Sequence, residues 1–303
     1  GIYATGTNLL AKNLTLSSAL ISNASGTNSF AGPCAMTGSN AFLIATSTSL
    51  NLSGVLSGAG ALWSLSGGTL VLSGNNTYSG ATVIKAGALV VTGLTGTNFL
   101  VVSNGAALRG TGTVRGATTV NGLFAPGTAA IGTLNVSNTL TLAGSTIMRI
   151  AKNPGPVNDQ VRGISTVSYG GTLTVTNAGG TLSAGDVFQL FSAANRIGSF
   201  APLNLPVLSP GLLWSNRLVL DGSLLVVPVP SPQITSTTLN GSSLKMQIST
   251  ESGVTYVLQK TDSLLAPVIW TSISTNAGTG GPLLFSPTVN FSRPGEYFRV
   301  LAY

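Results

Sequence analysis

Residues Gly67–Gly93 read GGTLVLSGNNTYSGATVIKAGALVVTG. The stretch holds one Lys, no acid and no His, so it offers nothing to acid–base chemistry. Its apolar residues alternate instead. TLVLSG sets Leu70 and Leu72 on one face, ATVIKAG sets Ile84 and Lys85 on opposite faces, and ALVVTG sets Leu89 and Val91 together. Alternation over short runs is the signature of strands with one buried face. Each run closes on Gly or Asn, which tolerate a positive φ and suit corners. The segment therefore predicts short strands joined by tight corners, with Leu70, Leu72, Ile84, Leu89 and Val91 inward and Lys85 outward.

The same chemistry occurs upstream. SGTNSFAG (Ser25–Gly32) matches SGNNTYSG (Ser73–Gly80), with Phe30 against Tyr78 and Ser29 against Thr77. GTNFLVVSNGAAL (Gly96–Leu108) is a weaker echo, and the triplet GTL returns at Gly68, Gly132, Gly171 and Gly180. Self-similarity at such spacing signals stacked repeats. At about 20–25 residues per coil, an offset of about 48 residues reads as two coils of a β-solenoid. That places Ser25–Gly32 and Ser73–Gly80 above one another, roughly 10 Å apart along the axis. The pattern runs on through Gly110–Ile150. Residues Ala151–Val226 are less regular and include FAPLNLPVLSPGLLW, which reads as terminal coils with a cap, because an open solenoid end exposes backbone and core.

At 227–232 the run VPVPSP disfavours helix and central strand, and reads as a stiff linker. Beyond it, SLKMQIST, VTYVLQKT, VIWTSIST and EYFRVLAY are longer alternating strands at the spacing of a small sandwich. Trp270, Tyr256, Phe285, Tyr297 and Phe298 supply a core of their own. The expected fold is all-β: a parallel β-solenoid (β-helix) with terminal cap over 1–226, a Pro-rich linker over 227–232, and a small immunoglobulin- or fibronectin-like β-sandwich over 233–303.

Composition narrows the function classes. Charged residues make up 6% of the chain, against about 25% in ordinary soluble domains. Mean hydropathy is positive, yet no run approaches the about 18 apolar residues of a spanning helix. The best stretch, LVLDGSLLVVPVP, is cut by Asp221, Gly222, Pro228 and Pro230. The net charge of +7 comes from 13 basic and 6 acidic residues, but Lys12, Lys85, Arg109, Arg115, Arg149 and Lys152 stand singly. A nucleic-acid surface clusters such residues with aromatics, so no nucleic-acid partner is expected.

No His is present, which removes His-based triads and His metal ligands. Of the six carboxylates, Asp159, Asp186, Asp221, Glu251, Asp262 and Glu296, only Glu251 and Asp262 lie within twenty residues of each other, and their spacing fits no calcium loop or paired-carboxylate motif. No catalytic, cofactor-binding or metal residue is therefore assigned. Arg109 and Arg115 flank GTGTV and read as solvated coil-edge charges that discourage sideways pairing. GTGTV and GAGAL lack the Lys-Ser/Thr and helix of a phosphate loop. Asn75 and Asn76 read as turn caps or an amide ladder. Trp63, Trp214 and Trp270 read as packing residues, although exposed aromatics also stack on glycans. Cys34 stands alone and reads as a small buried hydrophobe. Asn13 and Asn290 open glycosylation sequons of a kind frequent by chance in this composition.

Gly67–Gly93 resembles the autotransporter-associated β-strand repeat, whose pattern is GGTLxLSGxNTYSGxTxIxxGxLxV; Ala81 and Ala88 are its departures. GLFAPGTAAIGTLNVSNTLTLAGS (Gly122–Ser145) resembles the segment that follows such repeats in large secreted bacterial proteins. The likeness covers about half the chain, and the C-terminal module only in general style. It implies a right-handed β-solenoid, secreted and exposed at a bacterial cell surface, and carries over no catalytic residue or cofactor. Autotransporters end in a membrane β-barrel and no such sequence follows here, so another export route or removal of a remainder is expected. Three readings follow: a non-enzymatic structural subunit self-associating head-to-tail into a filament, fibre or sheath; a monomeric adhesin or glycan-binding passenger; and a polysaccharide-active solenoid enzyme. Low charge and the missing acid–base residues favour the first two.

Overall fold

The computed structural model describes residues 2–303, Pro156 by its backbone only. Among the described residues every regular element is a strand. The chain divides into two compact units. The first comprises Gly1–Leu182, Asp186–Val207 and Ser215–Leu225; the second comprises Ser183–Gly185, Leu208–Trp214 and Val226–Tyr303.

The first unit is a stack of parallel coils, a β-solenoid. Each coil gives one strand to a 12-stranded sheet and one to an 11-stranded sheet, and the early coils add a third side through Leu14–Ser17, Cys34–Thr37 and Leu56–Ser57. The register puts Asn28, Leu50, Leu70, Leu89, Leu108 and Phe124 in one column. A second column runs Leu10, Phe30, Leu52, Leu72 and Val91. Leu70, Leu72, Ile84, Leu89 and Val91 are fully buried and Lys85 is exposed, as the alternation requires. Burying one leucine on another of the same column removes both from water without new polar burial, at about 1.5–3 kcal/mol each.

Coil length is not what the offset between the two matching segments implies. Leu50 pairs with Leu70, and Leu70 with Leu89, so a circuit here is shorter than half that offset. Phe30 therefore sits two coils from Leu72, and Ser25–Gly32 is not stacked over Ser73–Gly80. The first segment contains the strand Thr27–Phe30. The second leaves the strand Thr69–Leu72 and runs along the third side, where the Thr77 and Tyr78 amides donate to the Leu56 carbonyl. The two segments share Gly, Asn and one aromatic, but Phe30 lies in a strand and Tyr78 on the third side, at different points of the circuit.

Gly87 takes the positive φ expected of a corner glycine, but one column of glycines has another cause. Gly54, Gly74, Gly93 and Gly112 form a column in which an added Cβ would overlap the carbonyl oxygen of the glycine one coil earlier. None of the four has a positive φ. Close approach of stacked backbones, rather than a left-handed conformation, demands glycine there.

Towards the end the coils widen. Leu140 pairs with Val167, a longer step than Val120 to Leu142 before it, and the long strand Gln160–Tyr169 also pairs with Thr133–Val136 and Phe191–Gly198. The rings of Tyr169, Phe191 and Phe200 fill this broader section, with centroids 5.0–6.1 Å apart. An antiparallel pair, Val187–Gln189 with Ser223–Leu225, follows the parallel coils.

The second unit holds two antiparallel three-stranded sheets in a sandwich-like arrangement. One runs Ile234–Asn240, Ser243–Ser249, Pro282–Phe285; the other runs Thr271–Ala277, Thr255–Thr261, Tyr297–Ala302. Met246, Ile248, Val254, Tyr256, Leu258 and Phe285 form the core, and Phe298 packs against it. Trp270 lies outside that core, and Tyr297 is exposed. Within 227–232, Val227 and Pro228 close the strand Ser223–Pro228, and Val229 donates to the Gly211 carbonyl at 2.8 Å. The irregular stretch is thereby reduced to Pro230–Gln233.

Candidate functional site

Several polar side chains of the solenoid bind its own backbone. Arg149 and Asp159 make the densest cluster. The strand Ser145–Lys152 turns back through the strand Pro156–Asn158, which sets Arg149 beside Asp159. Asp159 is buried; one oxygen accepts from Arg149 Nε and the Arg149 amide at 2.8 Å, the other from Arg149 Nη2 at 3.0 Å and the Gly132 amide at 2.8 Å. The remaining guanidinium donors reach the carbonyls of Pro126, Thr128, Ala129 and Ala130. Every lone pair and proton is thus engaged, the condition under which a buried pair holds structure rather than reacts. The cluster pins the loop 126–132. In the sequence Arg149 and Asp159 stand apart; the signal that joins them is NPGP (153–156), a turn that folds one back onto the other.

Arg115 is not the solvated charge expected. Its Nε donates to the Thr95 carbonyl at 2.9 Å and its Nη2 to the Asn76 carbonyl, so it clamps preceding coils. Arg109 is exposed, as expected. Asn76 is fully buried: its Oδ1 accepts from the Leu56 amide at 2.9 Å and its Nδ2 donates to the Leu94 carbonyl at 2.7 Å, which ties three coils together. Asn8, Asn28 and Asn23 form a similar amide chain near the first coils. Tyr78 is buried with its hydroxyl 2.6 Å from Thr82 Oγ1, and burial holds its pKa above the usual phenol value.

Among the other carboxylates, Asp186 pairs with Lys152, Asp221 with Arg217, Asp262 with Arg293, and Glu296 with Lys260. The Asn290 amide, donating to Glu296, and the neighbouring Lys260 hold the Glu296 carboxyl below the usual range. Among the described residues no three of His, Cys, Asp and Glu gather in a way that could hold a metal ion. Cys34 is buried, which raises its thiol pKa to about 11. Trp63 is 39% exposed on the outer face of its strand rather than packed inside.

An open groove of about 690 Å³ runs along one corner of the solenoid. Its floor is Gly105, Gly122, Gly144 and Gly171, and Asn104, Asn121, Ser145 and Thr172 edge it. Side-chain hydroxyls and amides at coil spacing can hydrogen-bond a ligand, but none of these groups is a general acid, base or nucleophile held by a partner.

Comparison with known proteins agrees with this picture. Residues 66–91 match the family model of the passenger-associated transport repeat. The chain is 31% identical over 171 residues to the adhesin BmaC autotransporter of Brucella suis biovar 1 (strain 1330), an alignment covering 52% of this chain and 5% of that protein. The chain therefore spans a small fraction of the length of this relative. The matched repeat spans one coil and the first strand of the next, with Leu70, Leu72, Ile84, Leu89 and Val91 as its buried residues. The chain thus carries a passenger-associated transport repeat built into a parallel β-solenoid, and it is similar to an autotransporter adhesin.

Proposed function

We propose that this chain is part of an adhesin-type passenger: a non-enzymatic β-solenoid that stands outside a bacterial cell and presents surfaces for attachment. The carrying observation is the repeat at residues 66–91, whose apolar side chains stack inward and whose Asn76 ties coil to coil. A scaffold fastened this way suits a durable extracellular surface. The name of its relative, an adhesin, supports the same reading. The test is to display the chain on a non-adherent bacterium and count cells retained on glycan-coated and protein-coated surfaces. Retention above the undecorated strain is expected. Release of soluble fragments from a polysaccharide coat, with no retention, would replace adhesion by catalysis.

A finer reading is head-to-tail self-association into a surface filament. The strands Ile2–Ala4, Leu9–Leu10 and Leu14–Ser17 each pair on one side with the following coil. They are part of the solenoid rather than a free arm, and what they offer a second copy is their outer edge. Tyr3 and Leu9, each more than 70% exposed, flank that edge. A contact between unlike surfaces propagates instead of closing. Light scattering on the intact chain and on a chain lacking residues 1–10 tests this: growth in size with concentration for the first and not for the second is expected, and a monomer in both cases removes the filament reading.

A further inference from the structure

Within the second unit, one cation is held as a receptor would hold it. Arg299 lies on the strand Tyr297–Ala302, between Phe298 and Val300, which pack on the core, so its side chain rises from the opposite, outer face. It reaches across the central strand Thr255–Thr261. Its Nε donates to Gln259 Oε1 at 2.9 Å, and its guanidinium carbon sits 4.2 Å from the ring centroid of Trp270, just before the strand Thr271–Ala277. Gln259 is itself held, since its Nε2 donates to Ser272 Oγ at 3.1 Å. A cation–π stack and a hydrogen-bonded Nε fix the guanidinium plane.

The charge has no carboxylate partner among the described residues. Of the other cations of this module, Lys260 pairs with Glu296 and Arg293 with Asp262, while Lys245 is exposed on its strand. With its guanidinium over Trp270 and its Nε on Gln259, Arg299 has Nη1 and Nη2 without a hydrogen-bond partner among the described residues, a fork open to a ligand. That fork matches a carboxylate in bidentate fashion. Beside it lie the partly exposed indole of Trp270 and the Ser272 hydroxyl, whose oxygen is used by Gln259 and whose proton is free to donate.

We propose that this outer face binds a carboxylated saccharide, a uronic-acid-type sugar whose carboxylate sits on the Nη fork of Arg299 and whose ring lies against Trp270. Such a sugar carries an anion and an apolar C–H face within one ring, the two features that Arg299 and Trp270 present side by side. The proposal gives a ligand class to the adhesion reading and rests on it only for its setting, so cell retention and saccharide binding fail separately.

The probe is α-1,4-linked tetragalacturonate, titrated into the full chain at low salt and followed by amide chemical shifts. Saturation in the millimolar range, about −4 kcal/mol at 1 mM, is expected, with shifts centred on Gln259, Trp270, Ser272 and Arg299. The methyl-esterified tetramer keeps the sugar and removes the charge, and it should bind at least about tenfold more weakly without any change to the protein. R299Q, R299K and W270A should each lose about tenfold, R299K because an ammonium lacks the fork, while R109Q leaves binding unchanged. Equal binding of the esterified tetramer, unchanged affinity in R299Q, or absence of saturation would overturn the proposal. Tighter binding of tetraglutamate than of tetragalacturonate would replace the saccharide by an acidic peptide.

Discussion

Leu72→Ala probes the stacked core where the repeat is densest. Leu72 is fully buried, between Leu52 of the preceding coil and Val91 of the next. The substitution removes three carbons from a site with no water, about 2 kcal/mol by transfer alone. The neighbours above and below belong to hydrogen-bonded strands and cannot close in, so a cavity term raises the loss to about 3–4 kcal/mol. Leu72→Asp goes further, because it sets an unpaired charge in an apolar column. The assay is guanidinium denaturation followed by circular dichroism, with Lys85→Ala, at an exposed site of the same coil, expected within about 0.5 kcal/mol of the parent. Equal midpoints for Leu72→Ala and Lys85→Ala would refute the inward register on which the core rests.

Asp159→Ala removes four accepted hydrogen bonds and strands the Arg149 guanidinium, at about 3 kcal/mol; limited proteolysis should then cut within 126–132, and an uncut loop would show that the pair does not hold it. Gly93→Ala forces a methyl against the Gly74 carbonyl and should cost about 1–3 kcal/mol in the same denaturation assay, whereas a neutral result would mean that the coils are not in close contact at that corner. Cys34, buried with its pKa raised to about 11, stays protonated across the neutral range; maleimide labelling at pH 8 should be slow until the chain is unfolded, and fast labelling of the folded chain would contradict its burial.

The inward columns are legible in the sequence because their evidence is local: a strand buried on one face alternates every second residue, and Leu70, Leu72, Leu89 and Val91 do so without exception. Coil length is not legible. It depends on how much chain each corner spends, and corners of very different length all close the same columns, as the short step from Leu108 to Phe124 and the long one from Leu173 to Leu203 show. The offset between Ser25–Gly32 and Ser73–Gly80 reports a likeness of composition, not of position in the stack. Arg115 escapes sequence reading for a related reason: its partners, the carbonyls of Asn76 and Thr95, are backbone atoms of other coils and leave no trace in side-chain identity. The sparse inventory of reactive residues is readable outright. The Trp270–Arg299 stack is not, since it joins residues of two different strand regions across a third.

The register of the repeat can be tested by cross-linking. In a Cys34→Ser background, Val71→Cys and Val90→Cys occupy paired positions on adjacent coils, both on the outer face, with a Cα separation of about 4.8 Å expected for neighbouring strands and inside the range a disulfide spans. Mild oxidation should join them rapidly. Ser29→Cys with Thr77→Cys, the pair related by the likeness of the two segments, should remain reduced under the same conditions. Efficient bridging of the second pair and not the first would contradict the short coil on which the solenoid, its glycine column and its inner ladders all depend.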